Sequence, residues 1–173
     1  PVVAGSARNK NCRAVDGTAQ VCNGAYGFNG WLGLAQIWLS GSHIVKATTK
    51  VNDSYFNSSS YSATAESHVM CQEIGHDFGL DHQDESGADF NTCMDYSNAL
   101  DNPSPNAHDY EQLETIYNSH VDSSSIVQSF PDEASPVATE RWDTIRSSKI
   151  VERFGNDFVR VTFIHWALGG PGR

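Results

Sequence analysis

Five residues in one short stretch have the types and spacing to do chemistry: Gln72, Glu73, His76, Gly79 and His82. On a helix, positions 72 and 76 are one turn apart and share a face, so both side chains can point at one ion. Glu73 is rotated by about 100° from Gln72 and can hold a water beside that ion. Gly79 allows a sharp turn that brings His82 round as a third donor. A divalent cation held there would polarise a carbonyl and acidify its bound water. Glu73 would take the proton of that water and pass it to the leaving amine. A lone histidine is usually structural, but E-x-x-H-x-x-G-x-x-H sets four residues at defined offsets.

The segment resembles the metal helix of the metzincin clan of zinc endopeptidases, whose pattern is H-E-x-x-H-x-x-G-x-x-H. A second motif, Thr92-Cys93-Met94-Asp95-Tyr96, resembles the clan's methionine turn. The resemblance covers roughly residues 31–119 and extends to secreted microbial matrixin-like proteins. It implies zinc as cofactor, with Gln72, His76 and His82 as ligands and Glu73 as general base. It further implies Met94 as the hydrophobic floor of the site and Tyr96 as a group that contacts the metal or an oxyanion. A peptide or protein substrate would add as a strand along an upper rim near Gly33, Leu34 and residues 44–51.

Three features depart from the clan. Gln72 stands where a histidine ligand is expected, and an amide oxygen is a weaker zinc donor than imidazole. Gln83 follows His82 and matches no subfamily signature. No amphipathic helix precedes the metal helix, so the N-terminal part of the domain is truncated, rearranged or replaced. His68 lies two turns before His76, about 12 Å along the axis, too far to share an ion with it; it fits better as a neighbour of Gln72. Asp84 is a second candidate donor. The acidic run Asp77, Asp81, Asp84, Glu85 and Asp89 could feed a calcium site, although it lacks the EF-hand spacing. His43, His108, His120 and His165 have no motif around them and read as ordinary histidines.

The elements that must position these groups are legible in outline. Residues 31–39 and 44–51 read as strands joined at Ser40-Gly41-Ser42, and 54–62 as a loop. A helix is expected over 65–78, with Val69, Met70, Ile74 and Phe78 as its apolar face and Gly79 as its stop. Residues 80–105 read as a long irregular loop, and 108–119 as a second helix with Tyr110, Leu113, Ile116 and Tyr117 on one stripe. Residues 150–154 and 158–166 read as a β-hairpin, and 169–173 as a frayed end. The expected organisation is an α+β metzincin-like domain over 1–120, a linker over 121–139 and a β-rich extension over 140–173.

The four cysteines allow three pairings. Cys12–Cys22 would close a short loop, and Cys71–Cys93 would staple the metal helix to the methionine turn; free thiols that ligate or block zinc are the other reading. Acidic residues outnumber basic ones 21 to 11, for a net charge of −10. That surface argues against nucleic acid or an anionic membrane as partner. No apolar run approaches the roughly 20 residues needed to span a bilayer. The start at Pro1 suggests a piece processed from a longer precursor. Paired cysteines and the sequons at Asn52 and Asn57 suggest a secreted, extracellular protein, here expected as a monomer. Two functions compete: a zinc metalloendopeptidase, and a catalytically weak or inactive pseudoprotease that acts as a binding or inhibitory module.

Overall fold

The computed structural model describes residues 11–84, 86–118, 130–131, 134–142, 148–155 and 157–168. Glu85, His120, most of the expected linker and the 169–173 end lie outside the described residues. The architecture is α+β, a single mixed sheet with one long helix packed on it. The strands are β1 (Ala19–Gly24), β2 (Trp31–Ser40), β3 (His43–Asn52), β4 (Ala138–Trp142), β5 (Lys149–Phe154) and β6 (Phe158–Trp166). The helices are the single turn α1 (Asp53–Phe56), α2 (Ala63–Asp77) and α3 (Ala107–Tyr117).

The sheet order is β1-β3-β2-β6-β5-β4. Only β1 and β3 run parallel; the other pairs are antiparallel. The strands expected at 31–39, 44–51, 150–154 and 158–166 form within one or two residues of those bounds. The tail that reads as an extension supplies three of the six strands, and β6 lies inside the sheet between β2 and β5. β1 and β4 carry no clear sequence signal, being short and polar. The 54–62 segment opens with α1, whose N-cap Asn52 accepts from Ser54 N–H.

Side chains that pair across neighbouring strands share a face of the sheet. Ala35 pairs with Thr49 on one side and Phe163 on the other, and Gly33 pairs with Val51 and His165. This face carries the cluster of Ala35, Ile37, Ala47, Val151, Val161 and Phe163. α2 lies against it, with Val69 and Glu73 over Gly33. Trp38, Val45, Phe130 and Phe154 form a separate cluster.

Ser62 caps α2 by accepting from Ala65 N–H, and Gly79 ends it at φ +87°. The buried face is not the expected apolar one. Ala65, His68, Val69, Gln72, Glu73, His76 and Asp77 are buried, whereas Phe78 is 51% exposed. Polar side chains occupy the face against the sheet because there they meet Thr49, His165 and the loop after Gly79. On α3 the expected stripe is also mostly outward, with Tyr110, Ile116 and Tyr117 exposed and Asp109 buried. Asp109 is held by a capping box with Asn106 and by the Thr92 hydroxyl, so α3 is anchored through its polar N-terminus.

Both expected disulfides form, Cys12–Cys22 and Cys71–Cys93, and among the described residues no cysteine is free. Closing loops of this length stabilises a chain by about 3 kcal/mol per bridge in the chain-entropy account. Cys71–Cys93 ties α2 to the methionine-containing turn, and Cys12–Cys22 ties the segment before β1 to β1. Among the described residues no helix is long and apolar enough to cross a membrane.

Candidate metal centre

α2 presents two adjacent working faces. Glu73 and Asp77 point into the sheet, and Gln72 and His76 point toward β6 and the loop that follows the helix. The turn at Gly79 folds the chain back so that the His76 Nδ1–H donates to Leu80 O at 2.8 Å. A neutral imidazole held this way has its lone pair on Nε2. His82 Nε2 lies 3.2 Å from that atom. Two nitrogens each bound to one tetrahedral zinc at 2.0–2.1 Å would stand about 3.3 Å apart. The pair therefore has the separation of two ligands on one ion.

The position of His82 is secured by the methionine-containing turn. Gln83 N–H donates to Met94 O at 2.7 Å, and Tyr96 N–H to Asp84 O at 3.1 Å. Met94 is fully buried with Leu80 and Cys93. Its sulfur lies so close under the helix that a Cβ on Gly75 would come within 2.3 Å of Sδ. Met94 thus forms a floor beneath the helical turn that carries His76. The Tyr96 ring stands 4.9 Å from His82 and 5.6 Å from His165.

Gln72 is fully buried and held at both ends of its amide. Nε2–H donates to Asp95 O at 2.8 Å, and Oε1 accepts from His165 Nδ1–H. His165 comes from β6, where Phe163, two residues earlier on the same face, stacks on His76 at 3.8 Å with 4° between ring planes. Positions 72 and 76 are about 6 Å apart along the helix, and 163 and 165 about 6.6 Å apart along the strand. The two elements meet in two rungs, His76–Phe163 and Gln72–His165.

Glu73 is 1% exposed. Its carboxylate sits against the Gly33 backbone, where an added Cβ would lie 2.4 Å from Oε1. Neither oxygen meets a hydrogen-bond partner of good geometry, although the backbone at Ala35 and His165 is near enough to favour the charged form slightly. Burial pushes this carboxyl well above the usual range, and the neighbouring Asp77 adds to the rise. Asp77 is itself raised to about 7 by burial, opposed by the hydrogen bond from the Thr49 hydroxyl at 2.9 Å. Burial, and then His82, hold His76 well below the ordinary histidine range. His68 is fully buried, its ring 6.1 Å from that of His165. Burial lowers it too, against the pull of Asp95.

The structure thus brings Gln72, Glu73, His76, His82, Met94 and Tyr96 into one region. Asp84 is used elsewhere, accepting from Ser86 N–H. The acidic run disperses: Asp77 meets Thr49, Asp81 meets Lys149, and Asp89 meets Asn91 and Asn102. Asn52 is fully buried and bonded to Gly27 O and Trp31 O, so that sequon is closed in the folded chain. The expected upper rim is not an open edge, because β2 is flanked by β3 and β6.

His165 and Phe163 are the site residues that local motif reading misses, and Gly33, expected at a substrate rim, instead lies against Glu73 and Val69. One signal existed: Val161, Phe163 and His165 alternate on one strand face, and a histidine in line with two apolar residues invites a partner. Among the described residues no three His, Cys, Asp or Glu side chains are gathered closely enough to hold a metal ion. The nearest approach of two such side chains here is the His76–His82 pair at 3.2 Å, with the Gln72 amide one helical turn away. Comparison with known proteins adds no guide: no family model, curated protein or solved structure matches this chain.

Proposed function

We propose that the chain is a zinc-dependent endopeptidase of an extracellular setting, working on peptide or protein substrates. The observation that supports this best is the 3.2 Å approach of His76 Nε2 to His82 Nε2, with His76 Nδ1–H tied to Leu80 O. A tied Nδ1 is the usual outer contact of a zinc-bound histidine. His76 and His82 would hold the ion, with position 72 on the third side. The ion supplies Lewis acidity toward a carbonyl and acidifies water. Glu73, kept dry beneath Gly33, is the base that accepts the proton and returns it to the leaving amine. Met94 and the Cys71–Cys93 bridge would hold the two histidine-bearing segments in register, and Tyr96, its ring 4.9 Å from that of His82, would meet developing negative charge. The two disulfides suit an oxidising compartment.

A second reading has its own support. Phe163 covers one face of His76, and β6 occupies the edge of β2 along which a peptide would pair. That arrangement favours a pseudoprotease that binds partners without cleaving them. Hydrolysis of a denatured protein separates the two. Zinc-dependent cleavage that falls by roughly 10²–10⁴ in Glu73→Gln, with zinc binding retained, is expected for the enzyme. Failure of the wild-type chain to retain zinc at micromolar concentration, or cleavage unaffected by Glu73→Gln, would overturn it.

A further inference from the structure

The chain carries two Asn-X-Ser triplets, Asn52-Asp53-Ser54 and Asn57-Ser58-Ser59, and the fold treats them in opposite ways. The first is consumed by structure. Asn52 is 0% exposed. Its Nδ2 donates to Gly27 O at 2.8 Å and Trp31 O at 3.1 Å, and its Oδ1 accepts from Tyr26 N–H at 3.1 Å and Ser54 N–H at 3.2 Å. The Ser54 hydroxyl is committed too, accepting from Gly27 N–H at 2.8 Å. A sugar on Asn52 Nδ2 would displace these partners at a position with no exposed surface, so modification there is incompatible with this fold.

The second triplet is left outside. Asn57 ends α1, its backbone N–H donating to Asp53 O at 2.9 Å. The turn that follows is held by its middle residue: Ser58 Oγ donates to Tyr55 O at 2.5 Å and accepts from Ser60 N–H at 3.3 Å. Asn57 and Ser59, on either side of it, are exposed. Among the described residues, neither the Asn57 amide nor the Ser59 hydroxyl is engaged in a hydrogen bond. These are the two groups that N-glycan transfer needs, the amide as acceptor and the hydroxyl as the feature that marks it. The place also leaves room. β3 runs opposite to α2, with Ile44 beside Gly79 at one end and Asn52 leading into α1 at the other, where the Phe56 ring meets that of Tyr61 just before α2 begins. Ser62 and His76 stand about 21 Å apart along α2. A glycan on Asn57 therefore grows from the end of the helix remote from the His76–His82 pair.

We infer that Asn57 is an N-glycosylation site and that Asn52 is not. The inference rests on the extracellular setting proposed above and does not depend on the zinc reading. The donor class is a lipid diphosphate-linked oligosaccharide. Asn57 Nδ2 forms a bond to the anomeric carbon of the sugar, the bond from that carbon to the diphosphate oxygen breaks, and the amide proton leaves to a base of the transferase. The attached group is bulky and solubilising, and at this turn it covers surface rather than the candidate site.

The test is secretion of the full chain from a eukaryotic host, with intact mass measured before and after an N-glycan amidase and the modified residue found by peptide mapping. The expected result is loss of one oligosaccharide on amidase treatment, with Asn57 converted to aspartate and Asn52 unmodified. Asn57→Gln and Ser59→Ala should each be secreted without the glycan; the second keeps the asparagine and removes only the hydroxyl. A secreted wild-type chain with no glycan, or with one at Asn52, would overturn the inference and leave the extracellular reading standing. A glycan that persists in both variants would overturn it as well. If the host retains the chain, the same mapping on its microsomal fraction decides: a glycan at Asn57 supports the inference, and a bare Asn57 overturns it.

Discussion

The ring of Phe163 lies flat on the imidazole of His76, with centroids 3.8 Å apart and planes within 4°. A strand near the C-terminus therefore shields a residue on the central helix, and Phe163 is at the same time a member of the sheet-face cluster. Replacing a buried phenylalanine by alanine costs about 3–5 kcal/mol. Phe163→Ala should lower unfolding free energy by that amount in urea titration. It should also expose His76 to an imidazole-modifying reagent that leaves it untouched in the wild type. Equal labelling of His76 in both proteins would mean that the ring does not shield it.

Gly33 is the counterpart of Glu73 across the helix–sheet interface. A methyl group at position 33 would meet Glu73 Oε1 at 2.4 Å and Val69 Cγ1 at 2.5 Å. Gly33→Ala should cost roughly 1–3 kcal/mol through overpacking. Because it displaces the carboxylate, it should reduce peptide hydrolysis far more than zinc affinity. Gly27→Ala provides the contrast in the folded chain: its Cβ meets nothing within 4 Å, and only its φ of +91° is strained. Wild-type activity in the Gly33 variant would show that Glu73 does not need this contact.

His76 Nε2 is the acceptor in the His76–His82 contact, because its Nδ1 holds the proton donated to Leu80 O. His82 must then carry its proton on Nε2. Zinc should drive that proton off Nε2, while His76 keeps Nδ1–H throughout. Nitrogen NMR of the two rings before and after zinc addition reads the change; a His82 that already lacks Nε2–H without metal would contradict the assignment.

Asp77 supplies a pH dependence with a definite sign. Its pKa is raised to about 7 in the folded chain, against about 3.9 when unfolded. Between those values the folded chain holds a proton that the unfolded chain has released. The stability present below pH 4 is therefore lost as pH rises toward 7, by roughly 2–4 kcal/mol for a group this buried. Chelated protein should be less stable at pH 8 than at pH 5, and Asp77→Asn should flatten much of that slope. Thr49→Val removes the hydroxyl that favours the charged carboxylate, and should steepen the slope. An unchanged profile in Asp77→Asn would assign the dependence to another group.

The methionine-containing turn and α2 were legible because their information is local. One helical turn between positions 72 and 76, a glycine at 79 and cysteines beside both motifs are spacings along the chain, and helix geometry converts them directly into placement. The strands on either side of Ser40-Gly41-Ser42 were legible for the same reason. The apolar stripes assigned to the two helices were misleading. On α2 the buried face is Gln72, Glu73, His76 and Asp77, where hydrogen bonds and close packing against glycine, rather than hydrophobicity, decide what faces inward. α3 leaves Tyr110 and Ile116 outward and buries Asp109, because Asp109 accepts from the Thr92 hydroxyl of the methionine-containing turn.

By itself, the amino-acid sequence determined the helix that carries Gln72, Glu73 and His76 and the glycine turn that returns His82 toward it, since each depends on residue type and short separations. Tertiary structure alone decided what stands opposite that helix. The pairing of β6 with β2 brings His165 to Gln72 across 93 positions of chain. No local pattern encodes such a contact, because strand order is set by which strand edges find hydrogen-bond partners and which faces find cover. Only that pairing turns the glutamine from an absent histidine into the partner of another one.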